Sequence, residues 1–385
     1  MYNTIWAYLW DLRDDGIPES VRYLRNEIGL DAISVATAYH TFQQVRPHRQ
    51  GRKLLTGDAA AVYFRPDGRF YSDTVIQPHV APLARDSNPL EELAEACSGQ
   101  GMDLVSWTVC LHTSRLGQTY PRYAQQTAYG DNLGWILCPG EDEVRAYVTA
   151  LCTDLAANYG VRRVELETCN YGGYGHSHYH TKDGVPLGTV GNYLYSLCFS
   201  AGCMARAEQR GIDAEGLRSW VIGQLDRVFA SGRPLEGEIP SFVESHPELA
   251  AFQEMREDLV TSLIGRIKAE SGAPEVSFLL MGDRWLAGIR PEKIAAECDL
   301  LGALVYTDNP AVVEERVTAA LEQSRIEPRR LLVGLQAYYP CAPDAETLAA
   351  VFARARACGG EQFSFYNYGI MPRPNLDWIR RCVSS

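Results

Sequence analysis

No run of this sequence is long and apolar enough to span a bilayer, which takes about 20 consecutive residues. The opening MYNTIWAYLWDLRDDG has no basic region followed by a long apolar one, so no export signal is expected. No strand–GxGxxG–helix and no GxxxxGK[ST] loop occurs, which removes the usual cradles for a nucleotide phosphate. No GxSxG turn occurs, which argues against a serine hydrolase. Basic charge is short: 36 Lys and Arg face 48 Asp and Glu, for a net charge of −12. A general nucleic-acid binder carries a basic face, so that class is set aside. The 11 cysteines are odd in number and scattered. Cys198 and Cys203 lie five apart without a matching second pair, so no zinc-finger spacing emerges. Free thiols and a cytoplasmic location are expected.

What is present is an ordinary globular composition, 46% hydrophobic and 22% charged over 385 residues. Short apolar or alternating runs predict strands over Thr4–Leu12, Ala32–Tyr39, Asp103–Leu111, 161–168, Val276–Met281, Ala303–Thr307, Leu331–Leu335 and Gln362–Tyr366. Helical spacing and caps predict helices between them, among them Ile17–Ile28, Asn88–Gln100, Gly140–Tyr159, Arg290–Cys298, Ala311–Gln323 and Asp344–Cys358, with Leu376–Arg381 at the end. Alternation of strand and helix means a parallel sheet, and eight units predict one (β/α)8 TIM barrel over residues 1–385. The competitor is a doubly wound open sheet. Between strand two and its helix lies a long loop, Thr41–Ser87, with a hairpin expected at Pro66-Asp67-Gly68. After strand four, residues 190–272 read as a helical insertion, with helices expected over Val190–Arg210, Asp213–Ala230 and Glu248–Glu270.

The barrel reading gains from where polar residues fall. Asp11, His40, His112, Glu167, Asp283, Asp308, Gln336 and Asn367 each lie at or just after the end of a predicted strand. In a barrel those ends form one rim, where active sites sit. On strand four, Glu165 and Glu167 share a face, with Glu167 near the mouth and Glu165 one layer deeper. Two nearby carboxylates drive their pKa values apart and keep one protonated as an acid. Glu165 has a competing use as a structural partner of Arg163. Asp283 and Asp308 are candidates for a second catalytic carboxylate, with an ion pair to Arg284 and a helix cap as their respective alternatives. His176, His178 and His180 form H-x-H-x-H in a Gly- and Tyr-rich loop, which suits substrate hydrogen bonding or, as an alternative, a metal. Tyr and Trp crowd the expected rim. Aromatic faces pack on the C–H side of a pyranose while polar groups bind its hydroxyls, so a small sugar is the expected ligand.

Eight βα units with an acidic fourth strand (VELETCNY) and aromatic strand ends (VGLQAYYP, FSFYNYG) resemble the barrel glycoside hydrolases and their uncharacterised bacterial relatives. The helix-to-strand-four unit GWILCPGEDEVRAYVTALCTDLAANYGVRRVELET looks like theirs. The resemblance implies a glycosidase with Glu167 as acid/base. It departs from their commonest pattern, an Asn-Glu pair after strand four and a Glu at the end of strand seven. Here strand four reads Glu167-Thr168-Cys169-Asn170 and strand seven ends in Gln336. An unusual partner for Glu167, Asp283 or Asp308, or another mechanism is therefore implied. On this reading Asp11, His40, His112, Asn170, His178, Arg284, Tyr306, Gln336, Tyr338 and Tyr366 hold the sugar, and no cofactor, resident metal, nucleic acid or membrane is needed. A homo-oligomer stays open. The rival functions are a metal-dependent barrel hydrolase or isomerase built on the His loop, and a carbohydrate-binding barrel without catalysis.

Overall fold

The computed structural model describes residues 1–57, 59–176 and 180–384. Eight parallel strands run as β1 (Tyr2–Tyr8), β2 (Ala32–Tyr39), β3 (Asp103–Val109), β4 (Arg163–Glu167), β5 (Glu275–Leu279), β6 (Leu300–Leu304), β7 (Leu331–Gln336) and β8 (Gln362–Tyr366). Each pairs with the next, and β1 pairs with both β2 and β8, so the sheet closes on itself. At Thr4 the register is Ala32 on one side and Ser364 on the other. The closed sheet is a (β/α)8 barrel and excludes the open doubly wound alternative. Its strands read as near-continuous apolar runs because helices cover the outside and side chains fill the inside. The outer helices are α1 (Ile17–Tyr23), α2 (Pro89–Gly99), α3 (Asp142–Tyr159), α4 (Pro247–Glu270), α5 (Pro291–Glu297), α6 (Pro310–Ser324), α7 (Ala345–Ala357) and α8 (Asn375–Val383).

Three local expectations are corrected. The first strand stops at Tyr8, and Leu9–Asp15 is a short helix that carries Trp10 and Asp11. An unbroken apolar run fits a buried strand or a buried helical turn equally well, and here it is both in succession. The loop hairpin forms from Phe42–Val45 and Leu54–Gly57, not around Pro66–Gly68. Asp67 instead accepts the Arg69 N–H at 3.0 Å and caps a 3-10 turn over Gly68–Tyr71. Finally, Val190–Arg210 is two helices, Gly188–Ser196 and Ala201–Gln209, because the Ser200 hydroxyl caps the second by accepting the Cys203 N–H.

Between β4 and α4 lie those two helices, a third over Ala214–Ser231 and a short one over Ile239–Glu244. With α4 they share a second apolar cluster, which includes Tyr193, Leu217, Val221, Leu225 and Phe252. The barrel forms the larger cluster. Between β3 and α3 lie a short helix (Ser114–Thr119) and an antiparallel pair (Ala124–Gln126 with Asn132–Leu137). Among the described residues no helix is long and apolar enough to cross a membrane.

Candidate active site

The barrel interior at the C-terminal ends of the strands is aromatic. Trp6 and Tyr8 project inward from β1, two residues apart, and Trp107 does so from β3. Tyr39, at the end of β2, packs edge-on to Trp107 with ring centres 5.2 Å apart. Tyr366 closes the ring from β8, 6.0 Å from Trp6. The Tyr8 hydroxyl lies 3.0 Å from the hydroxyls of both Tyr39 and Tyr366, so three phenols share one hydrogen-bonded chain. Burial, then the neighbouring acidic groups, hold the Tyr39 and Tyr306 phenols well above their ordinary range, so they stay protonated.

Above these rings is a cavity of about 210 Å³, lined by Trp6, Tyr39, His40, Trp107, Glu167, Leu279, Met281, Leu304, Tyr306 and Tyr366. Among the described residues Glu167 is the one carboxylate in that wall. It is buried, and its Oε2 accepts the Trp107 indole N–H at 2.5 Å. Burial raises its carboxyl to about 7; the Trp107 hydrogen bond pulls the other way and nearby Glu165 adds to the rise. Glu165 sits one layer deeper, where its Oε1 accepts the Trp6 indole N–H at 2.5 Å and the Ser34 hydroxyl at 2.9 Å. Burial raises its carboxyl too, against the attraction of Arg163. The backbone just past Glu167 is unusual. Thr168 has φ +50°, a left-handed conformation that a β-branched residue adopts at a cost. It is held there by the Leu111 N–H, which donates to Thr168 O at 3.1 Å. Such outliers cluster at functional sites.

The remaining candidates fall at varying distances from this cavity. His40 lines it, and its ring stacks on His112 with centres 4.6 Å apart. His112 in turn meets Trp135 edge-on, and His176 stacks on Trp135 at 4.3 Å. His180 is exposed, and His178 lies outside the described residues. Tyr306 and Tyr366 line the cavity, and Tyr338 stands behind Tyr366 at 6.4 Å. Gln336 turns its amide to the carbonyls of Tyr338 and Tyr339, both at 3.2 Å, and so braces the β7 loop. Asn170 is buried and donates to Tyr171 O at 2.8 Å.

Asp283, Arg284, Asp308 and Asp11 also lie outside the cavity wall. Asp283 accepts the N–H groups of Trp285 and Leu286 at 2.6 and 2.8 Å, capping a one-turn helix. Arg284 is bound to Glu257 at 2.6 Å and stacks on Trp285. Asp308 is exposed just past β6, and the neighbouring cap of α6 is Asn309, not Asp308. Asp11 accepts from Gln44 Nε2 at 2.7 Å and Arg46 Nε at 2.6 Å, which clamps the 42–57 hairpin to the end of β1. A Cβ on Gly369 would lie 1.7 Å from Asp11 Oδ2. Gly369→Ala is therefore expected to push Asp11 off Arg46 and to cost about 1–3 kcal/mol in urea unfolding. Equal midpoints and slopes for variant and parent would mean that this clamp does not hold the hairpin.

Trp6, Tyr39 and Trp107 belong to the aromatic set that the sequence places near the rim. That two of these indoles serve as donors to Glu165 and Glu167 has no sequence signature, since a Trp in an apolar strand reads as core.

No protein-family model matches the sequence, and no curated protein matches it. Solved structures do resemble it. The PgaB (BpsB) glycoside hydrolase domain from Bordetella bronchiseptica superposes with a TM-score of 0.64 at 12% identity, over 99% of this chain and 98% of that one. The β-galactosidase from Marinomonas ef1 gives 0.61 at 13% identity, over 100% of this chain and 59% of that one. α-L-Fucosidase isoenzyme 2 from Paenibacillus thiaminolyticus gives 0.56 at 10% identity, over 100% of this chain and 49% of that one. At these identities the likeness is one of fold: the chain shares its (β/α)8 barrel with proteins named for glycoside hydrolysis.

Proposed function

We propose that this chain is a glycoside hydrolase acting on a small sugar or glycoside, with Glu167 as the proton donor. The observation that carries this reading is Glu167 itself, a buried carboxyl raised to about 7 in the wall of an aromatic cavity. A carboxylic acid must keep its proton near neutral pH to give it to a leaving oxygen, and burial does this. The indoles and phenols offer flat apolar faces to a pyranose ring, while His40 and Tyr306 supply polar edges. A volume of about 210 Å³ suits one sugar ring better than a chain of them. Protonated phenols serve as hydrogen-bond donors to hydroxyls rather than as nucleophiles. For the second carboxylate, Asp308 is the candidate not committed to a helix cap. Glu165 supports Glu167 from below.

The test is turnover on a broad panel of aryl glycosides, followed by a pH profile on whichever is cleaved. Glu167 acts in its protonated form, so kcat/KM should fall as pH rises through about 7. Trp107→Phe removes the donor that favours the carboxylate, so the falling limb should move up by about one pH unit. A limb that stays in place would show that another group governs it, and a panel without turnover would remove the hydrolase reading.

A further inference from the structure

Three cysteines far apart in sequence meet where the helical insertion joins the barrel. Cys138 follows the strand Asn132–Leu137, Cys198 lies in the break between the first two insertion helices, and Cys203 sits in the first turn of the second. All three are buried. Cys138 Sγ lies 3.4 Å from Cys203 Sγ and 3.6 Å from Cys198 Sγ, and the three sulfurs fall within 4.8 Å of one another. Among the described residues this is the one such group of three His, Cys, Asp or Glu. Thiolates on a tetrahedral zinc ion, each about 2.3 Å from it, sit about 3.8 Å apart. The observed spacing needs only small shifts to match.

Simple packing explains buried cysteines one at a time, since a thiol behaves as a small apolar group. It does not explain the donors gathered on these sulfurs. The Ser200 hydroxyl donates to Cys138 Sγ at 3.2 Å, and the Gly140 N–H does so at 3.3 Å. The Tyr171 hydroxyl lies 3.2 Å from Cys203 Sγ. The two loops are also shaped around the cluster. A Cβ on Gly140 would lie 2.9 Å from Cys203 Sγ and 3.4 Å from Cys138 Sγ, so only glycine fits there without a shift. Glu141 then ties one loop to the other by accepting the Gly202 N–H at 2.6 Å.

Charge points the same way. Three thiolates on a divalent cation carry a net charge of −1. Two buried guanidiniums lie beside the cluster, and neither forms an ion pair among the described residues. Arg145 donates to the carbonyl of Pro139, next to Cys138, at 3.2 Å, and Arg256 lies 4.5 Å over the Tyr171 ring. Both guanidiniums donate to neutral groups rather than to a carboxylate, Arg145 to Leu259 O and Arg256 to the carbonyls of Trp285 and Leu286, so an anionic metal centre would offset their charge.

We infer that Cys138, Cys198 and Cys203 hold one structural thiophilic divalent cation, zinc in the simplest case, with the hydroxyls of Tyr171 and Ser200 as the oxygen donors beside it. As the sulfur–metal bonds form, the three thiol protons leave to solvent. Because Tyr171 follows β4 closely, the ion would tie the loop beyond Glu167 to the helical insertion. The inference does not depend on the glycosidase reading, and its measurements need no substrate.

Metal analysis of the untagged full chain, purified without chelators under reducing conditions, should find about one equivalent of zinc per chain. Cys152→Ser alters an equally buried thiol outside the cluster and should keep the metal. Cys138→Ser and Cys203→Ser should lose it. Since a buried substitution can unfold a chain, the deciding measurement is made on the unaltered protein with cobalt(II) in place of zinc. It should show sulfur-to-cobalt charge transfer and the visible bands of a tetrahedral site, both abolished by added zinc. Absence of bound metal together with a cobalt spectrum lacking these bands would overturn the inference. So would an intact mass two hydrogens light with Cys138 linked to Cys203, which would make the cluster a redox pair.

Discussion

On the proposed hydrolase reading, Glu167→Gln should lower turnover of a glycoside with a poor leaving group by about 10²–10⁴-fold, the usual contribution of a positioned general acid. Gln keeps the acceptor for the Trp107 indole and nearly the same shape, so the cavity survives and the proton is what is lost. The loss should shrink for aryl groups that leave without protonation, and that trend marks the residue as the acid rather than as a sugar ligand. The same substitution has an opposite effect on stability. The Glu167 carboxyl rises on folding from 4.5 to about 7. Between those values the folded chain keeps a proton that the unfolded chain has released. Wild-type stability therefore falls as pH rises through this window, by about 3 kcal/mol in all. Glutamine has no such proton. In urea unfolding the variant should match wild type near pH 4 and exceed it at pH 8. Two stability curves that run parallel across this range would show that Glu167 does not titrate as its burial dictates.

Glu165→Ala has the second large effect, on folding. It removes the acceptor of the Trp6 indole and the Ser34 hydroxyl and the charge facing Arg163. Arg163 is itself buried, with Nε and Nη2 lacking hydrogen-bond partners, and its nearest ion pair is Glu275 at 3.7 Å. Breaking one side of a buried charge arrangement costs about 3–5 kcal/mol. Glu165→Gln keeps an acceptor for Trp6 and should cost about 1–2 kcal/mol. If Glu165 is a support, the Gln variant stays active in proportion to its folded fraction. A well-folded Glu165→Gln protein without turnover would move Glu165 from the scaffold into the chemistry.

The barrel was legible because strands covered on both faces are apolar throughout and alternate with capped helices eight times. Glu165 and Glu167 were legible for the converse reason, since two acids on one face of an apolar strand stand out. Rim assignments were harder. Asp11, Asp283 and Asp308 all follow apolar runs, yet Asp11 clamps a hairpin, Asp283 caps a helical turn and Asp308 faces solvent. Which way such a residue turns depends on where the strand stops and on the loop's own hydrogen bonds, and a one-residue change reverses it. Strand one stopping at Tyr8 moved Asp11 onto a helix. The cysteine cluster was hidden by distance, for Cys198 and Cys203 look like half a site until the fold brings Cys138 to them.

The seam of the barrel also sets a timetable. Tyr8 and Tyr366, whose hydroxyls meet, are separated by 358 residues, and β1 finds its second hydrogen-bonded neighbour only in β8. At about 5–20 residues per second, β1 leaves the ribosome roughly 20–70 s before that neighbour is made. For that interval one edge of β1 is open, and Trp6 faces a cavity that has no eighth wall. A newborn chain thus passes through a stage with the aromatic side chains of β1 uncovered, when a chaperone that shields β1 would matter most.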